Sequence, residues 1–189
     1  MRGFSRIAAS MLVLMSIGHL GGCASTGQPG GSSKPVRVST TALPAAASAA
    51  ARGESALATA LLSAINAERA GRGAGALGMD SALQRAAAIH SADMALRSFA
   101  GHYNPDGQGP AERVRAIKPD FTGAVTENLS VLPDEAGTAP ETLARKVLKG
   151  WMTAPGQRRN LTDPQARLAG IGTASGSGKL YISGLFAAP

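Results

Sequence analysis

The segment LAGIGTASGSGKLYISGLF, residues 168–186, separates this chain from an all-helical bundle. Two runs, Leu168 to Thr173 and Lys179 to Phe186, flank Ser175-Gly176-Ser177-Gly178. Small residues of that kind close a β-hairpin. On the second run Leu180, Ile182 and Phe186 alternate toward one face, with Gly184 between them, which is the period of a strand laid on a core. A hairpin is therefore predicted at the C-terminal end, and the preceding elements must cover it.

Working back from the hairpin, Pro140 opens a helix on which Leu143, Val147 and Trp151 form one stripe and Ala144, Leu148 and Met152 lie beside it. Pro155-Gly156 is expected to break it. The run Ala124 to Leu132 (AVTENLSVL) reads as a strand. Pro110 suits the first turn of a short helix, Ala111 to Ile117, which Pro119 stops. Asp80 or Ser81 can cap a longer helix running to about Arg97, with Leu83, Ala87 and Met94 on its apolar stripe and His90 on the same side. From Ser55, Leu57, Leu61 and Ile65 recur every four residues until Gly71 and Gly73 end the run. No repeat is visible. Helices, an inserted strand and a terminal hairpin together predict an α+β layered domain.

The first 53 residues carry a different signal. Arg2 and Arg6 precede the short apolar run Ile7 to Ile17, and small residues lead to Leu20-Gly21-Gly22-Cys23. This is the pattern of a secretory signal peptide, residues 1–22. LGGC, holding the chain's only cysteine, resembles a bacterial lipobox. The resemblance implies cleavage before Cys23, diacylglycerol on its sulfur, and stable anchoring by several acyl chains. Ala24 rather than Asp follows, which in a Gram-negative envelope implies the outer membrane, facing the periplasm or the surface. Residues 24–53 are mostly Gly, Ser, Thr, Pro and Ala, so residues 23–53 read as a lipidated tether with a reach of about 30 Å. Residues 54–189 remain for a single folded domain with one core.

Composition narrows the function. One cysteine among 189 residues excludes an intramolecular disulfide scaffold and a Cys-rich zinc cluster. The apolar segment Ile7 to Gly22 is too short for an ordinary membrane-spanning helix and contains His19. The net charge of +7 falls by two once Arg2 and Arg6 are removed. An exported protein meets no chromosome, so nucleic acid is not an expected partner, and anionic lipid or cell-wall polymer is the better match to the residual charge. The sequons at Asn128 and Asn160 carry no weight behind a bacterial lipobox.

Five segments, in order, resemble one family: residues 65–95 (INAERAGRGAGALGMDSALQRAAAIHSADMA), 99–114 (FAGHYNPDGQGPAERV), 126–130 (TENLS), 151–161 (WMTAPGQRRNL) and 168–172 (LAGIG). They look like a bacterial CAP domain, of the superfamily of cysteine-rich secretory, antigen-five and plant pathogenesis-related proteins. The resemblance covers nearly all of residues 55–189 and implies a three-layer α-β-α sandwich. It also implies a cleft lined by two His and two acidic residues, which in some members hold a divalent cation such as zinc. The first His falls on His102 and the first Glu on Glu127. The second Glu position falls on Ala154 and the second His position on Gln157, so half of the set is replaced.

One His and one carboxylate are too few for tight zinc binding. No cofactor is therefore expected, the alternative being a divalent cation such as zinc on His102 and Glu127. As a pair, these two residues can act as general base and orienting carboxylate. The opposing expectation is structural, with Glu127-Asn128 tying a strand to a helix and His102 bonding a carbonyl. Glu68 and Asp106 are further acidic candidates, and His90 is expected to be a hydrogen-bonded core residue. No G-x-S-x-G segment marks a nucleophile. Gln157 and Arg158 are expected at the cleft rim, with Arg158, Arg159, Arg145, Lys146 and Lys149 forming a basic patch for anionic lipid or glycan. Three functions follow as expectations: a binding module for lipid, glycan or an envelope protein; a hydrolase of peptide or cell-wall bonds using His102 and Glu127; and an envelope scaffold.

Overall fold

Both faces of the last two strands are apolar, and that dictates layers on either side of them. The structure, a computed structural model, describes residues 56–188. The expected signal peptide, Cys23 and the expected tether lie outside the described residues. In chain order the elements are α1 (Ala56–Ala70), β1 (Gly78–Met79), α2 (Ser81–Arg97), α3 (Pro110–Ile117) and β2 (Val125–Pro133). They continue with α4 (Pro140–Thr153), α5 (Pro155–Thr162), β3 (Leu168–Gly176) and β4 (Lys179–Ala187). The four strands form one mixed sheet in the order β1-β3-β4-β2, with β1 parallel to β3 and the other pairs antiparallel.

Alternation along β4 divides the core in two. Leu180, Ile182 and Phe186 join Ala169 and Ile171 of β3 against Leu61 and Ile65 of α1 and Val147 and Trp151 of α4. Leu185 and Ala187 face the other way, onto Leu83, Ala86 and Ala87 of α2 and Val114 of α3. Tyr181 and Ala174 meet Ala92, Met94 and Ala95 of α2. The result is the three-layer α-β-α sandwich.

Helix α2 is capped by Asp80, whose carboxylate accepts from the Ala82 and Leu83 amides, both at 2.9 Å. It rests on β3 through backbone. A Cβ on Gly170 would come within 2.1–2.5 Å of Leu83 and Gln84 backbone atoms, and one on Gly172 equally close to Ala87 and Ala88. The LAGIG run is thus a groove for an Ala-rich helix, and only glycine fits at those two positions. Gln84 reinforces the seam by exchanging hydrogen bonds with the Ile171 backbone at 2.7 and 2.8 Å.

Two local readings need correction. The hairpin turn is Ser177-Gly178 alone, both at positive φ (51° and 71°), and Ser175 and Gly176 continue the strand opposite Leu180 and Lys179. Two consecutive residues at positive φ match the right-handed twist of the flanking strands, which lets the ladder run to the tip. Pro155-Gly156 ends α4 but also starts α5: proline at the first helical position loses no bond that the helix would have made.

Candidate functional site

The site forms at the edge of the sheet, where β2 meets the loop between α2 and α3. Alternation on β2 turns Glu127 toward the α2 and α3 layer and Asn128 toward the opposite one. Residues 98–109 make a loop folded on itself by Asn104, whose side-chain carbonyl accepts from the amides of Asp106 (3.1 Å) and Gln108 (2.8 Å). Arg113, on α3, fixes that loop from below: its Nη1 donates to the carbonyls of His102 (2.8 Å) and Gln108 (2.9 Å).

Glu127 is the hub. Its side chain is 1% exposed. Oε1 accepts from Arg113 Nη2 at 2.6 Å and from Ser183 Oγ at 2.8 Å, while Oε2 accepts from His102 Nδ1 at 2.9 Å. A carboxylate only accepts, so Nδ1 of His102 carries the proton and a neutral ring keeps its basic lone pair on Nε2. The His102 side chain is 53% exposed, so this lone pair belongs to a wet surface group tied to a dry carboxylate.

His90 approaches from α2. It is fully buried, its Nε2 donates to the Gly101 carbonyl at 2.9 Å, and the same nitrogen lies 4.0 Å from Glu127 Oε1. Nδ1 of His90 has no hydrogen-bond partner among the described residues. Burial pushes the His90 pKa down, the Arg113 charge pushes it further, and Glu127 opposes both. Burial also lowers the Arg113 pKa, against the carboxylate that holds it.

The structure brings His102 and Glu127 together, and it places the other candidates apart from them. Asn128 donates to the Gln157 carbonyl at 3.0 Å, so Gln157 meets the neighbour of Glu127 through backbone. Asn160 donates to the Glu127 carbonyl (3.2 Å) and to the Asn128 side chain (2.9 Å), closing α5 onto β2. Asp106 pairs with Arg97 at 2.9 Å, and Glu68 pairs with Arg72 at 2.7 Å. Arg158 lines a groove with Arg145 and Lys149 and shares no hydrogen bond with His102 or Glu127. Lys146 is taken by Glu135 at 2.9 Å. Sequence reasoning missed Arg113 and Ser183, since an arginine on a short helix and a serine in a strand carry no local signal of a buried carboxylate.

The zinc implied by the resemblance finds a poor donor set. Ala154 has no donor, His90 spends its Nε2 hydrogen on a carbonyl, and Arg113 and Ser183 already occupy one Glu127 oxygen. Among the described residues no group of three His, Cys, Asp or Glu gathers as a metal needs. The arrangement can instead orient a histidine as a proton acceptor, or present an ordered polar surface to a ligand.

Residues 62–186 match the cysteine-rich secretory protein family, CAP. No curated protein matches the chain. Among solved structures it is similar to an outer surface protein of Borrelia burgdorferi, with 19% identity and a TM-score of 0.56, covering 67% of this chain and 88% of that one. An extracellular SCP-domain protein of Bacillus anthracis shares 21% identity with a TM-score of 0.56; the match covers 70% of this chain but 40% of that one. NaASP2, solved with Zn2+, shares 14% identity with a TM-score of 0.52, over 71% of this chain and 80% of that one. At these identities the likeness is one of fold.

Proposed function

Because the chain belongs to the cysteine-rich secretory protein family, we propose that it is a lipid-anchored envelope protein whose CAP domain binds rather than catalyses. The observation that carries this reading is the state of Glu127: donors from the 98–109 loop, α3 and β4 hold its buried carboxylate. A carboxylate so held orients its neighbours and offers a metal few free lone pairs. An envelope address is supported by the lipobox-like Leu20-Gly21-Gly22-Cys23 and by the tether that follows. Two fold neighbours being an outer surface protein and an extracellular protein agrees with it. The partners are membrane lipid through acylated Cys23 and a lipid, glycan or envelope protein at the domain.

Calorimetric zinc titration of the full chain beside His102→Ala tests the choice. No saturable binding is the expected result, and a single site lost in the variant would move a metal-assisted hydrolase to the front. Isolated envelope material should bind the full chain saturably and without turnover. Mass spectrometry of the membrane-extracted protein should find a chain that begins at an acylated Cys23, and Cys23→Ser should abolish that species.

One observation favours a second reading. His102 Nδ1 on Glu127 at 2.9 Å, in a half-exposed side chain, leaves Nε2 to serve as a general base for hydrolysis of a peptide or cell-wall bond. Turnover of envelope material that disappears in His102→Ala would establish it in place of the binding module.

A further inference from the structure

On the other side of the sheet, α1, α4 and α5 enclose a groove of about 390 Å³. On α4, Arg145, Leu148, Lys149 and Met152 fall at helical spacings of three, four and seven. That is a second stripe, beside the Ala144, Val147 and Trp151 stripe that enters the core. Arg158 of α5 completes the basic wall, and Arg72, just past α1, adds a cation held by Glu68. Arg145, Lys149 and Arg158 have no carboxylate partner among the described residues, while the nearby Lys146 does. Leu148 and Met152 are half-buried against the core and form an apolar floor.

We propose that this groove holds a phosphate ester, the headgroup of an anionic lipid or its soluble counterpart. Two guanidinium forks and an ammonium without carboxylate partners, Arg145 giving one hydrogen to the Thr142 hydroxyl at 3.1 Å, match the several oxygens of a phosphate better than they match one carboxylate. The volume suits a headgroup, and the floor suits the carbon skeleton attached to it. Glu68 is the one opposing charge in the lining, and its bond to Arg72 neutralises it. This inference rests on the binding reading above and gives it a place and a chemistry.

The test uses the mature chain from residue 23, made without residues 1–22 and carrying Cys23→Ser, so that neither the apolar signal nor an acyl anchor reaches a bilayer. Phosphatidylglycerol and phosphatidylcholine vesicles are the membrane probes, and glycerol phosphate in solution is the third. Binding to phosphatidylglycerol alone, weakened by at least about tenfold in Lys149→Glu/Arg158→Glu, is the expected result. The charge-matched pair Lys118→Glu/Lys179→Glu, outside the groove, should change it by less than about twofold. Glycerol phosphate binding lost in the groove pair identifies a soluble ester as sufficient; vesicle binding without it identifies the bilayer headgroup. If the glutamate pair does not fold, Lys149→Gln/Arg158→Gln replaces it. Equal loss in both pairs, or no binding of any phosphate probe, overturns the groove, whose cations then only offset the carbonyl ends of α1 and α4. Envelope material still bound by the groove pair in that case leaves the binding module standing without this site.

Discussion

Arg69 and Arg113 are both buried, one at the end of α1 and the other on α3, and the fold treats them in contrasting ways. Arg69 gives its hydrogens to backbone carbonyls: Gly75 at 2.7 Å, Leu161 at 2.7 Å, Asp163 at 3.0 Å and Ala166 at 3.1 Å. It sews the end of α1 to the end of α5 and to the approach of β3, and the arrangement closes on itself. Arg113 also takes two carbonyls, but its remaining hydrogen bond goes to Glu127, and Glu127 leads to His102 at the surface. Burial lowers both pKa values. The same side chain is thus a staple in one place and the root of a path from core to solvent in the other. The difference lies in whether a second charge links it outward.

The sharpest way to break this contrast is Arg113→Met. It leaves the Glu127 carboxylate buried and unpaired, and unfolding in urea should show a loss of about 3–5 kcal/mol. Adding Glu127→Leu should return most of it, because the orphan charge goes too. A single variant as stable as the parent would mean that Arg113 is no ionic partner. Arg69→Met should cost about 2–3 kcal/mol, from carbonyls left without donors. Arg69→Lys should recover little of this, since one ammonium cannot span four acceptors.

The smallest effect is a pH dependence carried by His90, which faces Arg113, Glu127 and Asp93. Its folded pKa is lowered, so the unfolded chain takes up a proton first as the pH falls. Stability is then complete above about pH 6.5 and declines below it, by at most about 1.4 kcal/mol per pH unit for this group. His90→Gln keeps a donor for the Gly101 carbonyl and should flatten that acid limb between pH 6.5 and 5. Thermal melts across that range read the slope directly.

Periodicity made much of the architecture legible. The α1 and α4 stripes, the Asp80 cap and the alternation of Leu180, Ile182 and Phe186 are local patterns, and the core repeats them. The α5 helix was hidden because Pro-Gly reads as an end, while the same proline also serves as a beginning. At the site, the approach of His102 to Glu127 was reachable only through family resemblance, for 25 residues separate them. Arg113 and Ser183 were illegible for a deeper reason. Their role depends on β2 and β4 being neighbours with Glu127 turned to the α3 side, and no short window contains that fact. His90 was expected to be a bonded core residue and is one, but its 4.0 Å approach to Glu127 is again a product of packing.

The glycine seam between α2 and β3 has a mechanical meaning. Most helices float on a sheet over a cushion of side chains that can rearrange when a neighbour changes size. Here main chain lies on main chain at Gly170 and Gly172, so the joint has no cushion to compress. The loop that carries His102 begins where α2 ends, and it therefore takes its origin from the sheet itself. Repacking the α1 and α4 side of the protein would leave that origin in place, and the histidine and the strand bearing its carboxylate would stay in alignment while the rest of the core adapts around them.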